Sequence, residues 1–215
     1  MPSTAAPTRA LVVFARAPEA GEVKTRLARE LGEAAALAAY RELGALVLGA
    51  VAGLPDCETV VSYTPADREP LMRAWLGPDL RYEPQCDGDL GARMLDAIGT
   101  RCRSGARRVL VIGTDCPEVS TGLIETAFGR LDGADAVFGP VADGGYYLVG
   151  MKRPIRELFE AIPWSTAATL STTLARATAA ALAVALLDER RDIDTAEDWR
   201  RWQSARRSAG LAPTT

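Results

Sequence analysis

Short runs of apolar, mostly β-branched residues alternate along this chain with longer stretches whose apolar positions recur every three or four residues. The first pattern predicts strands and the second helices. Leu11 to Phe14 reads as a buried strand; after a loop, Lys24 to Gly53 reads as helix interrupted near Gly32. Thr59 to Tyr63 predicts a second strand, Pro70 to Leu76 a helix, Leu80 to Glu83 a short strand and Leu90 to Cys102 a helix. Val109 to Ile112 is apolar throughout, the pattern of a central strand covered on both faces. Thr121 to Leu131 is helical, and Ala136 to Phe138 and Tyr146 to Val149 are strands separated by the glycine-rich turn Ala142 to Gly145. Thr166 to Ala183 predicts a helix, Val184 to Leu187 a last strand and Thr195 to Arg206 a closing helix. Thr195 is its expected N-cap, with Asp198 at the capping-box position.

This alternation implies an α/β fold with a mostly parallel sheet and helices on both faces. The strands at Phe138 and Tyr146 stand too close together for a helical crossover, so an antiparallel excursion is expected late in the sheet. No repeat or linker divides the chain, and one domain is expected over 9–207, with flexible tails at 1–8 and 208–215. Ligands of open parallel sheets sit beyond the carboxyl ends of the strands. Chemistry is therefore expected in the loops after Phe14, Ile112 and Phe138.

Composition narrows that chemistry. With 48% hydrophobic and 25% charged residues and a net charge of -3, the chain has a core to bury and no basic field to gather nucleic acid. The 215 residues include no histidine, which removes Ser-His-Asp and Cys-His nucleophilic systems and His-ligated zinc. Catalysis must rest on Asp, Glu, Lys, Arg, hydroxyls and backbone amides, with or without a bound ion. Arginine abundance carries no weight of its own, because basic residues are nearly all arginine; the lysines are Lys24 and Lys152. The four cysteines form no CxxC pair and read as small thiols. The apolar run before Arg16 is too short for a signal-peptide core, and the uncharged Leu43 to Pro55 falls short of a membrane span. A cytoplasmic protein without a membrane span is expected; no interface signal bears on its oligomeric state.

Four constellations stand out. In the loop after the first strand, Arg16 and Gly21 precede Lys24-Thr25-Arg26 at a helix start. Helix N-termini favour anions, so cations gathered there point to a polyphosphate between them; a solvated basic turn is the rival reading. Second, Asp115 follows the central strand in Gly113-Thr114-Asp115-Cys116-Pro117. A carboxylate there is costly unless it is paired or binds a cation, so Asp115 is a candidate metal ligand; helix capping, the alternative, is better served by Ser120. Third, Asp143-Gly144-Gly145-Tyr146-Tyr147 allows backbone to approach a ligand that Tyr146 can stack on or hydrogen-bond; an Asp-Gly hairpin turn is the competing reading. Fourth, period two puts Asp192 and Asp194 on one face of an extended segment, suited to a divalent ion. Asp89 and Arg93, in QCDGDLGARM, are further candidates, as are Trp164 and Ser165, where a proline-punctuated helix start serves equally well.

Taken in order, VFARAPEAGEVKTRL, QCDGDLGARM, VIGTDCP, GPVADGGYYLVGM, IPWST and DIDTAEDW resemble the glycosyltransferase A-like family DUF2064, which includes the radical-SAM/selenodomain-associated transferase type 1 group. The resemblance spans roughly residues 10 to 200. It implies a Rossmann-like three-layer α/β/α sandwich of the GT-A, nucleotide-diphospho-sugar transferase type. It also implies a transferase dependent on Mg²⁺ or Mn²⁺, with a nucleotide-diphospho-sugar or an NTP and a small-molecule acceptor as partners. On that view Lys24, Thr25 and Arg26 lie over phosphates, with Arg16, Gly21, Asp89 and Arg93 completing the nucleotide site. Asp115 binds metal with Asp192 or Asp194. Gly144, Gly145, Tyr146, Trp164 and Ser165 face the sugar or acceptor, and Asp143 is the candidate base. Glycosyl transfer leads. The DxD signature is absent, Cys116 and Pro117 following Asp115, and this D-x-P pattern is closer to nucleotidyltransferases; Gly21-Glu22-Val23 in turn lacks the second glycine of their GxGTR loop. Nucleotidyl transfer is therefore the alternative, and a non-catalytic nucleotide-sugar-binding protein the further one.

Overall fold

The computed structural model of the protein describes residues 7–210. The expected tails fall largely outside them, although Thr8 already accepts backbone hydrogen bonds from Arg107 and Arg108. The strands are β1 (Arg9–Arg16), β2 (Cys57–Thr64), β3 (Arg81–Pro84), β4 (Arg108–Ile112), β5 (Ala136–Pro140), β6 (Tyr146–Met151) and β7 (Val184–Leu186). The helices are α1 (Thr25–Leu31), α2 (Glu33–Val51), α3 (Glu69–Leu76), α4 (Leu90–Arg103), α5 (Thr121–Arg130), α6 (Thr169–Ala179) and α7 (Ala196–Ser208).

The strands form one sheet in the order β3-β2-β1-β4-β6-β5-β7. β1 pairs in parallel with β2 and β4, whereas β6 inserts between β4 and β5 and runs antiparallel to both. The late excursion expected from the short Phe138–Tyr146 spacing is therefore present, and it carries Tyr146 back beside the carboxyl end of β4.

Alternation along the strands divides the core. Leu11, Val13, Leu110 and Ile112 face a layer containing Val47 and Val51 of α2 with Ile124 and Phe128 of α5. Ala10, Val12, Val109 and Val111 face the other layer, with Met94 and Ile98 of α4 and Ala177 of α6. A third cluster joins Leu27 of α1, Ala39 and Leu43 of α2, and Trp199 of α7 around Ile193. It pins the segment that carries Asp192 and Asp194 against α1, α2 and α7.

Local chemistry sets the boundaries. Gly32 (φ 83°) separates α1 from α2 and ends the long helical pattern where it was expected to break. Thr195 and Asp198 form the expected capping box, and Ser120 caps α5 by accepting from the Leu123 amide. α6 is shorter than predicted: Thr169 Oγ1 donates to Pro163 O and Thr166 Oγ1 accepts from the Ala168 amide, a side-chain turn that replaces the helix's first residues. α2 is long and apolar enough to cross a membrane by length and composition, yet much of its surface packs inside the sandwich.

A Cβ on Gly150 of β6 would lie 2.2 Å from Leu110 Cδ2 and 2.8 Å from Val137 Cγ1. The inserted strand is thus accommodated by a missing side chain. Gly150→Ala is expected to destabilise the fold by about 1–3 kcal/mol through overpacking, read as a lower urea midpoint; an unchanged midpoint would show that this core yields at β6.

Candidate functional site

The carboxyl ends of β1 and β4 open onto a cleft of about 510 Å³. Two loops and a returning segment meet there. Lys24, the N-cap of α1, adopts a left-handed backbone (φ 48°) that an L-residue takes only at a cost. Its side chain turns inward, 4% exposed, and its Nζ lies 2.8 Å from Asp115 Oδ1 and 2.9 Å from Asp194 Oδ1. The same ammonium donates to the carbonyl of Ile193, whose amide in turn donates to Asp115 O at 2.9 Å. The β1–α1 loop, the end of β4 and the segment before α7 are thus tied at one point.

The electrostatics follow from this crowding. Burial alone would lower the Lys24 pKa; the charges of Asp115 and Asp194 outweigh it and raise it, so the lysine is a permanent cation. Asp192 is pushed up to about 7, first by burial and then by repulsion from Asp115 and Asp194, with Lys24 opposing and Asp143 adding to the shift. One Asp192 oxygen is buried without a hydrogen bond, whereas Asp115 Oδ1, also buried, meets the Lys24 ammonium at 2.8 Å. Burial and the charge of Asp192 push the Cys116 thiol in the same cleft up to about 12, so it stays protonated and is no nucleophile at neutral pH.

The structure brings Arg16, Lys24, Thr25, Arg26, Asp115, Tyr146, Asp192 and Asp194 into the lining of one cleft. The counterions of Lys24 are the chain's own carboxylates, so the inference that cations at this helix start require a phosphate is corrected for that residue. Arg26 is 62% exposed and 3.9 Å from Asp194 at the nearest, and Arg16 pairs with the exposed Glu22. Tyr146 is largely buried, with its hydroxyl beside Thr173 of α6, and packs edge-on against Phe138 and Trp164.

Other candidates lie off the lining. Gly21 (φ 79°) makes the turn before α1 and backs onto Glu33. Arg93 folds back onto Gly88 O and Gln85 Oε1, while Asp89 caps α4 and accepts from Trp164 Nε1 at 3.3 Å. Ser165 is exposed in a left-handed turn (φ 61°). Asp143 Oδ1 accepts from the Gly145 amide at 3.0 Å, placing this carboxylate on the exposed turn rather than in the cleft. The close approach that Gly144 permits is to the protein itself: a Cβ there would lie 2.2 Å from Ala167 O.

Sequence reasoning missed Tyr40, whose hydroxyl accepts from the Arg16 amide at 2.8 Å and donates to Arg16 O at 2.9 Å, bracing the end of β1. In the sequence it is one more apolar-face residue of a helix. Gln85, also in the lining, holds Ser62 O with its side-chain amide and lay inside the QCDGDLGARM motif without being singled out.

Among the described residues, no three acidic, cysteine or histidine side chains stand close enough to enclose a metal. The donor chemistry nevertheless suits Mg²⁺ or Mn²⁺: all-oxygen carboxylates, a buried Asp192 oxygen without a hydrogen bond, and mutual repulsion that a cation would relieve. Asp115, Asp194 and Asp192 are the residues that fit the ion.

A model for a bacterial family, described as "Uncharacterized protein conserved in bacteria (DUF2064)", matches residues 47–166, more than half of the chain. The chain belongs to the DUF2064 family. A solved structure from Desulfovibrio desulfuricans G20, described as a candidate nucleotide-diphospho-sugar transferase, shares 32% identity with this DUF2064 member, with a TM-score of 0.88 over 94% of this chain and 89% of that one. CMP:2-keto-3-deoxy-manno-octonic acid synthetase complexed with CTP superposes with a TM-score of 0.62 at 11% identity, over 94% and 99% of the two chains. Rv0371c of Mycobacterium tuberculosis H37Rv, in complex with manganese, superposes at 0.56 with 19% identity, over 92% and 98%. These last two bear on the fold alone, and with the first they place the sandwich in the GT-A and nucleotidyltransferase type. No curated protein matches the sequence.

The raised Asp192 pKa makes a prediction for stability. Between the ordinary carboxylate value and about 7, the folded protein holds a proton that the unfolded chain has lost, so folding becomes less favourable as pH rises through that window. The Asp192 contribution is a loss of roughly 1.4 kcal/mol per pH unit at most. In EDTA, urea midpoints of Asp192→Asn should fall less from pH 4 to pH 7 than those of the wild type; parallel curves would mean that Asp192 ionises normally.

Proposed function

We propose that this protein is a metal-dependent transferase using a nucleotide-activated substrate, and that it transfers a glycosyl group from a nucleotide-diphospho-sugar to a small acceptor. The observation that carries the reading is one cleft, at the strand ends where open α/β sheets bind ligands, lined by exposed arginines together with a carboxylate cluster. The 32% identity to a candidate nucleotide-diphospho-sugar transferase supports it.

Arg16 and Arg26 hold the diphosphate, as guanidiniums suit phosphate oxygens. Lys24 faces it from below. Asp115 and Asp194, with or without Asp192, would hold Mg²⁺ or Mn²⁺, which supplies neutralisation of the negative charge that develops on the departing nucleoside diphosphate. Tyr146 lines the cleft where a sugar or acceptor would pack. Asp143, at the rim and near enough for its charge to be felt at Asp192, is the candidate base for the acceptor hydroxyl. Trp164, tied to α4 through Asp89, walls the acceptor side.

The Asp115-Cys116-Pro117 turn favours a second reading, in which an NTP is attacked at its α-phosphorus by a phosphorylated small molecule and pyrophosphate leaves. A ligand that binds only the folded state raises the melting midpoint by mass action. Nucleotide-diphospho-sugars with Mn²⁺ are expected to raise it, and Asp115→Asn to abolish the rise. A shift confined to nucleoside triphosphates with Mn²⁺ would establish the second reading, and no shift with either class would leave a binding protein of other specificity.

A further inference from the structure

The most deeply committed charge in the cleft is Lys24. Its ammonium, 4% exposed, occupies the space between Asp115 and Asp194 within hydrogen-bonding range of both, and donates to Ile193 O as well. It is retained although its backbone is left-handed, where glycine would be easier. The carboxylates that fit a divalent ion therefore already hold a monovalent one. One buried oxygen of the neighbouring Asp192 remains without a hydrogen bond, so the lysine satisfies the cluster incompletely.

We propose that Lys24 is an internal counter-cation that holds the Asp115–Asp194 pair in the empty cleft and gives way to the divalent ion, passing its ammonium to the phosphates that enter with it. This rests on the metal and diphosphate of the proposed function and goes beyond it by assigning an order. Metal alone meets a cluster already partly neutralised and must displace the buried ammonium, so it binds weakly. Metal with a polyphosphate binds well, because the displaced ammonium gains a new partner instead of an unpaired burial. The exposed Arg16 and Arg26 line the same cleft to take the remaining phosphate charge.

The composition supplies a direct test, because Lys24 and the exposed Lys152 are the only lysines. Brief acetylation with an N-hydroxysuccinimide ester, read by peptide mass spectrometry, should modify Lys152 and spare Lys24 in EDTA. Saturating Mn²⁺ should raise Lys24 modification several-fold at constant Lys152 modification, and Mn²⁺ with inorganic pyrophosphate should lower it again. In parallel, Mn²⁺ binding is followed by electron paramagnetic resonance without nucleotide. Lys24→Met, which keeps the length and removes the charge, should bind Mn²⁺ alone about ten-fold more tightly than the wild type.

Manganese binding to the wild type with Lys24 still protected overturns the inference and leaves the metal reading standing. Lack of binding to both the wild type and Lys24→Met overturns both. Modification that stays high with pyrophosphate overturns the transfer to phosphate. The labelling arm uses the unaltered protein, so the inference stays testable even where Lys24→Met fails to fold.

Discussion

The ammonium of Lys24 is the contact on which the organisation of the cleft depends. Three stretches far apart in the chain end at it: the loop after β1, the turn after β4 and the segment before α7. Each brings a group that would be costly to bury alone. The lysine neutralises the carboxylates, the carboxylates keep the lysine charged, and the Ile193 backbone bonds to both Lys24 and Asp115. The balance is not complete, since Asp192 cannot ionise normally beside its neighbours. A cluster of this kind is strained by its charges and responds to any cation or anion that enters.

Packing sets that cluster in place from behind. Ile193 is buried among α1, α2 and α7, so the aspartates on either side of it are delivered to the cleft by an apolar anchor as well as by the Lys24–Asp194 ion pair. Tyr40 does the same for β1, clamping both backbone groups of Arg16 from α2. On the opposite wall, β6 enters against the direction of its neighbours, and Tyr146 arrives at its amino-terminal end beside the carboxyl end of β4. A purely parallel sheet would have carried that residue to the other edge of the layer. The antiparallel strand therefore decides the shape of the acceptor side.

Much of this was legible in the chain. The periods of apolar residues showed the strands and helices, the glycine at 32 the break between α1 and α2, and Thr195 with Asp198 the start of α7, because each depends on interactions within a few residues. The short interval between Phe138 and Tyr146 disclosed the antiparallel insertion, since no parallel crossover fits in it. Asp115 and the Asp192/Asp194 pair could be singled out because carboxylates beside apolar runs need partners.

Which partners they take was decided only in three dimensions. The sequence placed Lys24 at a helix start and so suggested a phosphate; the fold turns its side chain inward onto two carboxylates, one of them 170 residues away. The same holds for Asp143 and Gly144, whose local spacing suits a ligand but whose bonds go to Gly145 and whose close contact is with Ala167. Tyr40 carried no local sign of its role. Secondary structure and its caps follow from short-range sterics and hydrogen bonds, which neighbouring residues determine by themselves. The charge balance of the cleft depends on Coulomb energy and desolvation among groups that only the folded chain brings within 3 Å, and those the sequence determines only as a whole.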